Sequence, residues 1–113
     1  AYGTRHVTDT FSELGQPPSN LFAVGGGTKN SLWTQATSDI TGINQKVREK
    51  TIGASYGNAF IAALAIGQVQ KEDISTWNPI VKKITAKPNP TYSYNYKIFI
   101  ELYQKTKELM NKL

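Results

Sequence analysis

Four apolar residues, Leu21-Phe22-Ala23-Val24, run straight into three consecutive glycines, Gly25-Gly26-Gly27. A polar tripeptide, Thr28-Lys29-Asn30, follows, and a helix-like segment begins at Ser31. Glycine adopts backbone angles closed to other residues and lets the main chain approach a neighbour or a ligand. The amides at a helix start offer positive potential to an anion. Spacing alone leaves two readings open, a tight turn with close strand–helix packing or a nucleotide-binding loop. The stretch is not a P-loop, because GxxxxGK[ST] is missing, and it lacks the spacing of the dinucleotide GxGxxG pattern.

The flanking elements read as alternating helices and strands. Val7, Phe11 and Leu14 form one apolar stripe over residues 4–14, and Gly15 with Pro17-Pro18 closes that helix. The strand at 21–24 is apolar at every position, as in sheets covered on both faces. A helix over 31–41 is capped by Asn30 or Ser31 and stopped by Gly42; Leu32, Ala36 and Ile40 share a face, with Trp33 beside them. Residues 43–48 suit a short strand with Ile43, Gln45 and Val47 on one side. Residues 56–67 are apolar nearly all round and rich in small side chains, which predicts a central, buried helix ended by Gly67. A polar turn at 71–75 follows. Pro79, Pro88 and Pro90 then punctuate an irregular stretch. The last helix spans 95–112, with Phe99, Leu102, Tyr103, Thr106, Leu109, Met110 and Leu113 at helical spacing, docked on a neighbour.

This order implies parallel strands with right-handed crossovers. Two strands alone make a poor sheet. The shortage predicts a piece of a larger α/β protein, or pairing with another chain through exposed apolar surface as a homo-oligomer.

Composition narrows the classes. The 113 residues suit one small domain and contain no cysteine, which excludes a disulfide framework and thiolate metal sites and fits a reducing, cytoplasmic setting. No apolar run nears the ~20 residues of a membrane span. The first residues, Ala-Tyr-Gly-Thr-Arg-His, do not read as a signal peptide. The net charge of +5 sits wholly in residues 80–113, where seven lysines face Glu101 and Glu108. Tyr92, Tyr94, Tyr96, Phe99 and Tyr103 lie among them, so a binding module for an anionic partner is the competing class. No arginine accompanies these lysines, and a solvated helix face with inward aromatics is the favoured reading, with no nucleic acid as partner.

The stretch Val24 to Asp39 resembles the adenosine motif near the C-terminus of FGGY-family carbohydrate kinases. Thr41-Gly42, Glu49 and Gly53-Ala54-Ser55-Tyr56-Gly57 follow in the family's order. The tail from Pro90 to Tyr103 is similar to the tyrosine-rich final helix of the xylulokinase branch. The resemblance covers nearly the whole chain. It implies an α/β fold, the C-terminal portion of an actin-like (ribonuclease H-like) ATPase domain with a C-terminal amphipathic helix. Residues 1–113 would be one fragment of the second, nucleotide-binding domain, with 78–113 an irregular segment plus helix.

It also implies ATP as cosubstrate with Mg2+, and a parent that transfers the γ-phosphoryl group to a hydroxyl of a sugar such as xylulose. Gly26 would approach the ribose or α-phosphate, Gly25 and Gly27 would shape the turn, and Asn30 would meet adenine or ribose. The family's catalytic aspartate, sugar site and phosphate loops lie upstream, so the chain alone is expected to be inactive, with no catalytic or metal-binding residue of its own. The remaining polar residues take structural readings. His6 has a surface or packing role. Asp39 bonds loop amides. Glu49 pairs with Arg48 or Lys50, or anchors Thr51. Trp33 packs or borders an adenine pocket, and Trp77 anchors the irregular segment.

Overall fold

A computed structural model describes residues 1–112. The chain runs α1 (Tyr2–Glu13), β1 (Leu21–Ala23), a 3-10 turn (Gly26–Lys29), α2 (Ser31–Thr41), β2 (Gln45–Arg48) and α3 (Ala54–Ala65). A second 3-10 turn (Lys71–Asp73), α4 (Ile74–Trp77), β3 (Ile80–Ile84) and α5 (Pro90–Met110) complete it. The three strands form one sheet in the order β1-β2-β3. β1 and β2 are parallel, with Leu21 opposite Gln45 and Ala23 opposite Val47. β3 joins β2 antiparallel, with a bulge at Val47/Arg48.

The strand β3 corrects the reading of the segment between 78 and the last helix as irregular. Ile80-Val81-Lys82-Lys83-Ile84 carries no apolar alternation because only Ile84 faces the core. The last helix begins at Pro90, five residues before the sequence reading. Pro90 occupies its first turn, where a missing N–H is no loss, and the Asn89 side chain caps it.

The core lies between the sheet and α2, and its polarity differs from expectation. Ile40, Val47 and Ile84 are buried there, but so are Thr34, Thr37, Ser38 and Gln45. Leu32, read as sharing a face with the buried Ile40, is 77% exposed. The hydroxyls tolerate burial because each finds a nearby carbonyl: Thr34 Oγ1 donates to Ser31 O (3.1 Å) and Thr37 Oγ1 to Trp33 O (2.9 Å). Gln45 Nε2 donates to Thr34 O and to Ser38 Oγ, knitting β2 to α2.

The opposite face of the sheet, with Phe22, Lys46 and Arg48, is largely open. Phe22 is about half-exposed and Val24 more so, against the reading of β1 as covered on both faces. The Arg48 guanidinium lies 4.9 Å from the Phe22 ring centre. α3 is not the central helix its composition predicts. Only Phe60 is buried, while Ile61 and Ile66 are exposed. Ile61 and Leu64 within α3, and Ile66 at its C-cap, are left uncovered by the described residues.

The start of α5 docks on α1 through a stack of Tyr2, Tyr96 and Phe99, with Arg5 4.2 Å from the Tyr96 ring centre. His6 meets Tyr103 edge to face at 5.2 Å, the packing role anticipated for it. Beyond this, Leu102, Leu109 and Met110 project into solvent, so the docked stripe ends early. Leu113, the last residue assigned to that stripe, lies outside the described residues. The radius of gyration is 17.4 Å, against ~13 Å for a compact chain of this length. The body is elongated, 52 × 35 × 29 Å along its principal axes.

Candidate functional site

The glycine stretch sits where two parallel strands end. β1 leads into the turn at Gly25, and its neighbour β2 leads through 49–53 into α3. Loops at the carboxyl ends of parallel strands are the usual ligand-binding edge of an α/β sheet.

Gly25 has φ +80 and ψ −173, a region essentially reserved for glycine. Its N–H donates to Thr51 O at 2.7 Å, joining the two loops. Its carbonyl accepts from the Thr28 N–H at 3.2 Å and from Thr28 Oγ1 at 2.8 Å, closing the 3-10 turn. Among the described residues, the amides of Gly26 and Gly27 find no acceptor. Two adjacent free N–H groups at a turn form a concave donor pair suited to an anion. A Cβ on Gly26 would meet nothing within 4 Å, so this edge is open to an incoming group.

Asn30 caps α2: its Oδ1 accepts from the Trp33 N–H at 3.0 Å. That bond leaves Nδ2 as the free end of the amide. The Trp33 ring lies near Gly27, 3.7 Å from where a Cβ would stand, and is 56% exposed. Gly25, Gly26 and Lys29 line a shallow recess of about 250 Å³ with Thr51 and Ile52. A complete small-molecule pocket holds roughly 300–1,000 Å³, so the recess has the size of one wall. The four residues singled out in the sequence, Gly25, Gly26, Gly27 and Asn30, therefore lie on one continuous turn.

The supporting contacts are mostly distant in sequence. Asp39 Oδ1 accepts from the Lys87 N–H at 2.7 Å and from Gln35 Nε2 at 2.7 Å, the loop-bonding role anticipated for it. Glu49 pairs with Lys50 at 2.8 Å, and its carboxylate raises the lysine's pKa. Trp77 packs against Tyr56 and Phe60, and Tyr56 Oη donates to Trp77 O at 3.0 Å. Asn78, unassigned by sequence reasoning, holds both main-chain groups of Lys50. An asparagine before a proline signals only a turn, so its long-range partner had no sequence signature. No group of three or more His, Cys, Asp or Glu side chains among the described residues is placed to hold a metal ion. Among the described residues no helix is long and apolar enough to cross a membrane.

Comparison with known proteins gives one answer. The family model for the C-terminal domain of the FGGY family of carbohydrate kinases matches residues 1–66. A ribulokinase of Bacillus licheniformis is 33% identical over 96% of this chain and 20% of its own length. An FGGY carbohydrate kinase domain-containing protein of Xenopus laevis is 32% identical over 96% of this chain and 20% of its own. The crystal structure of xylulose kinase from Rhodospirillum rubrum superposes with a TM-score of 0.78 at 24% identity, covering 97% of this chain and 23% of that one. The chain thus spans about a fifth of the length of these curated relatives. Its α/β architecture is that of the C-terminal portion of the actin-like ATPase fold in FGGY sugar kinases. From the match over residues 1–66 and this shared architecture, we conclude that the chain belongs to the FGGY family of carbohydrate kinases.

Proposed function

We propose that the chain forms the adenosine-side wall of the ATP site in a sugar kinase. The observation that carries this reading is the pair of free Gly26 and Gly27 amides on an open turn at the end of β1. When bound, ATP supplies the transferable phosphoryl group; this chain's residues hold its other end. Gly26 offers its amide to the ribose or α-phosphate. Gly25 and Gly27 keep the turn thin. Asn30 Nδ2, spared by the cap, donates to the adenine edge or a ribose oxygen. The Trp33 ring borders the same side.

Phosphoryl transfer also needs a base for the acceptor hydroxyl and charge-neutralising groups with Mg2+. Among the described residues no group of three or more His, Cys, Asp or Glu side chains is placed to hold that ion. We place those groups, and the sugar site, on the other four-fifths of a longer kinase. The parent transfers the γ-phosphoryl group to a hydroxyl of a pentulose. The sequence resemblance favours xylulose, and ribulokinases stand among the relatives. Residues 1–113 act as one fragment of its second domain, cytoplasmic, and inactive alone. The competing anion-binding module has less support, because Tyr96 and Phe99 stack against α1 and Lys105 is paired with Glu101 at 2.6 Å.

Calorimetric titration of the chain with ADP and GDP tests this reading. ADP should bind more tightly, and Gly26→Val should weaken ADP at least tenfold. Equal affinity for the two nucleotides, or an indifferent Gly26→Val, would refute it.

A further inference from the structure

We infer that Asn78 is the positioning residue of the glycine turn, setting nucleotide affinity without touching the nucleotide; the affinity half of this rests on the ATP-wall reading above. Asn78 follows Trp77 at the end of α4, far from Gly25 in sequence. Its side chain pairs with Lys50 as a strand would. Oδ1 accepts from the Lys50 N–H at 2.9 Å, and Nδ2 donates to the Lys50 carbonyl at 2.9 Å. Its own carbonyl accepts from Arg48 Nη1. Beside it, the Glu49 N–H donates to Pro79 O at 2.9 Å. Residues 48–50 are therefore held from one side just where β2 ends.

The next residue is Thr51, whose carbonyl takes the Gly25 N–H at 2.7 Å. The free amides of the turn begin one residue further, at Gly26. A shift of Lys50 thus reaches the ligand-facing donors through two covalent neighbours and one hydrogen bond. Asn78 is itself fixed from α3, because the Trp77 ring lies 5.8 Å from Tyr56 and 5.5 Å from Phe60. The side chain suits this task because an amide carries a donor and an acceptor at the spacing of a peptide group. Alanine offers neither. Aspartate offers only acceptors, so its carboxylate faces the Lys50 carbonyl unfavourably.

The test uses the 113-residue chain with two readouts, the exchange rate of the Gly25 amide and the dissociation constant of ADP. In Asn78→Ala, Gly25 should exchange about tenfold faster, the size expected from lost hydrogen bonds. Amides in the β1–β2 ladder should stay protected as in the wild type. ADP should weaken about tenfold while the preference for ADP over GDP holds. Loss of global stability alone would speed the ladder amides too and leave ADP affinity unchanged under folding conditions. A folded variant with wild-type Gly25 protection, or with wild-type ADP affinity, overturns the inference. Should Asn78→Ala fail to fold, Asn78→Asp carries the same readouts at nearly the same volume. If the wild type binds no ADP, the ATP-wall reading fails, and Gly25 exchange alone decides whether Asn78 holds the turn.

Discussion

Gly25 and Gly26 are adjacent and chemically identical, yet their replacement by alanine should do opposite things. Gly25 sits at φ +80, ψ −173 with nothing within 4 Å of an added Cβ. The penalty for Gly25→Ala is therefore backbone strain alone, about 1–3 kcal/mol for a residue in this region. The unfolded chain loses freedom when glycine is replaced, which offsets ~0.4–1 kcal/mol. The net loss is about 1–2 kcal/mol. Gly26 needs no positive φ and also faces open space. Gly26→Ala should leave stability unchanged or raise it by up to ~1 kcal/mol, while its methyl group obstructs the approach to the Gly26 amide. Urea unfolding measures the first effect. With a slope of ~1.5 kcal/mol/M, the Gly25→Ala midpoint falls by roughly 1 M, and the Gly26→Ala midpoint does not fall. ADP titration measures the second effect. The reasoning is refuted if the two midpoints coincide, or if Gly26→Ala binds ADP as the wild type does.

Further outcomes follow from the core and the open faces. Gln45→Ala should destabilise the chain by about 2–3 kcal/mol in urea unfolding, because it opens a void and removes the donor to Thr34 O and to the fully buried Ser38 Oγ, which keeps only a long bond to Ile84 O. Burial, and then the neighbouring Asp9 carboxylate, push the Tyr96 hydroxyl up to about 12 from an ordinary 10. The folded state thus holds this proton more tightly, so its stabilisation is complete below pH 10 and lost as pH rises towards 12. Thermal melts of Tyr96→Phe should show a smaller drop over that window than the wild type. The exposed Ile61, Ile66, Leu102 and Leu109 predict concentration-dependent self-association. Sedimentation velocity of Ile61→Lys should show less of it than the wild type.

Much of the scaffold was legible because it rests on local physics. The presence of α1, the Asn30 cap, the Gly42 stop at φ 71 and the parallel pairing of β1 with β2 all depend on neighbours within a few residues or on strand–helix alternation, whereas the α1 stripe of Val7, Phe11 and Leu14 is exposed and Thr8 is the buried residue of that helix. What failed depended on partners elsewhere. The all-apolar α3 reads as central, yet burial needs a second layer, which residues 1–112 do not provide. Leu32, Ala36 and Ile40 read as one apolar face of α2, yet Leu32 is exposed while hydroxyls that satisfy their own helix carbonyls are cheap to bury, and Gln45 supplies a matching partner. β3 was hidden because Ile80 and Val81 are exposed along with its two lysines, so apolar and buried positions do not coincide, and its register with β2 breaks at a bulge. The glycine turn was visible in sequence. Its tie to Thr51 and the support from Asn78 were not, since both link residues more than 25 positions apart.

The most direct test of the central claim is an amide-resolved NMR titration of the isotopically labelled chain with ATP, ADP and GTP. The account predicts adenine-selective shifts centred on Gly25 to Asn30, spreading to Thr51 and Ile52 and absent in Gly26→Val. Shifts confined to the lysines of β3 and α5, equal for adenine and guanine nucleotides, would contradict it.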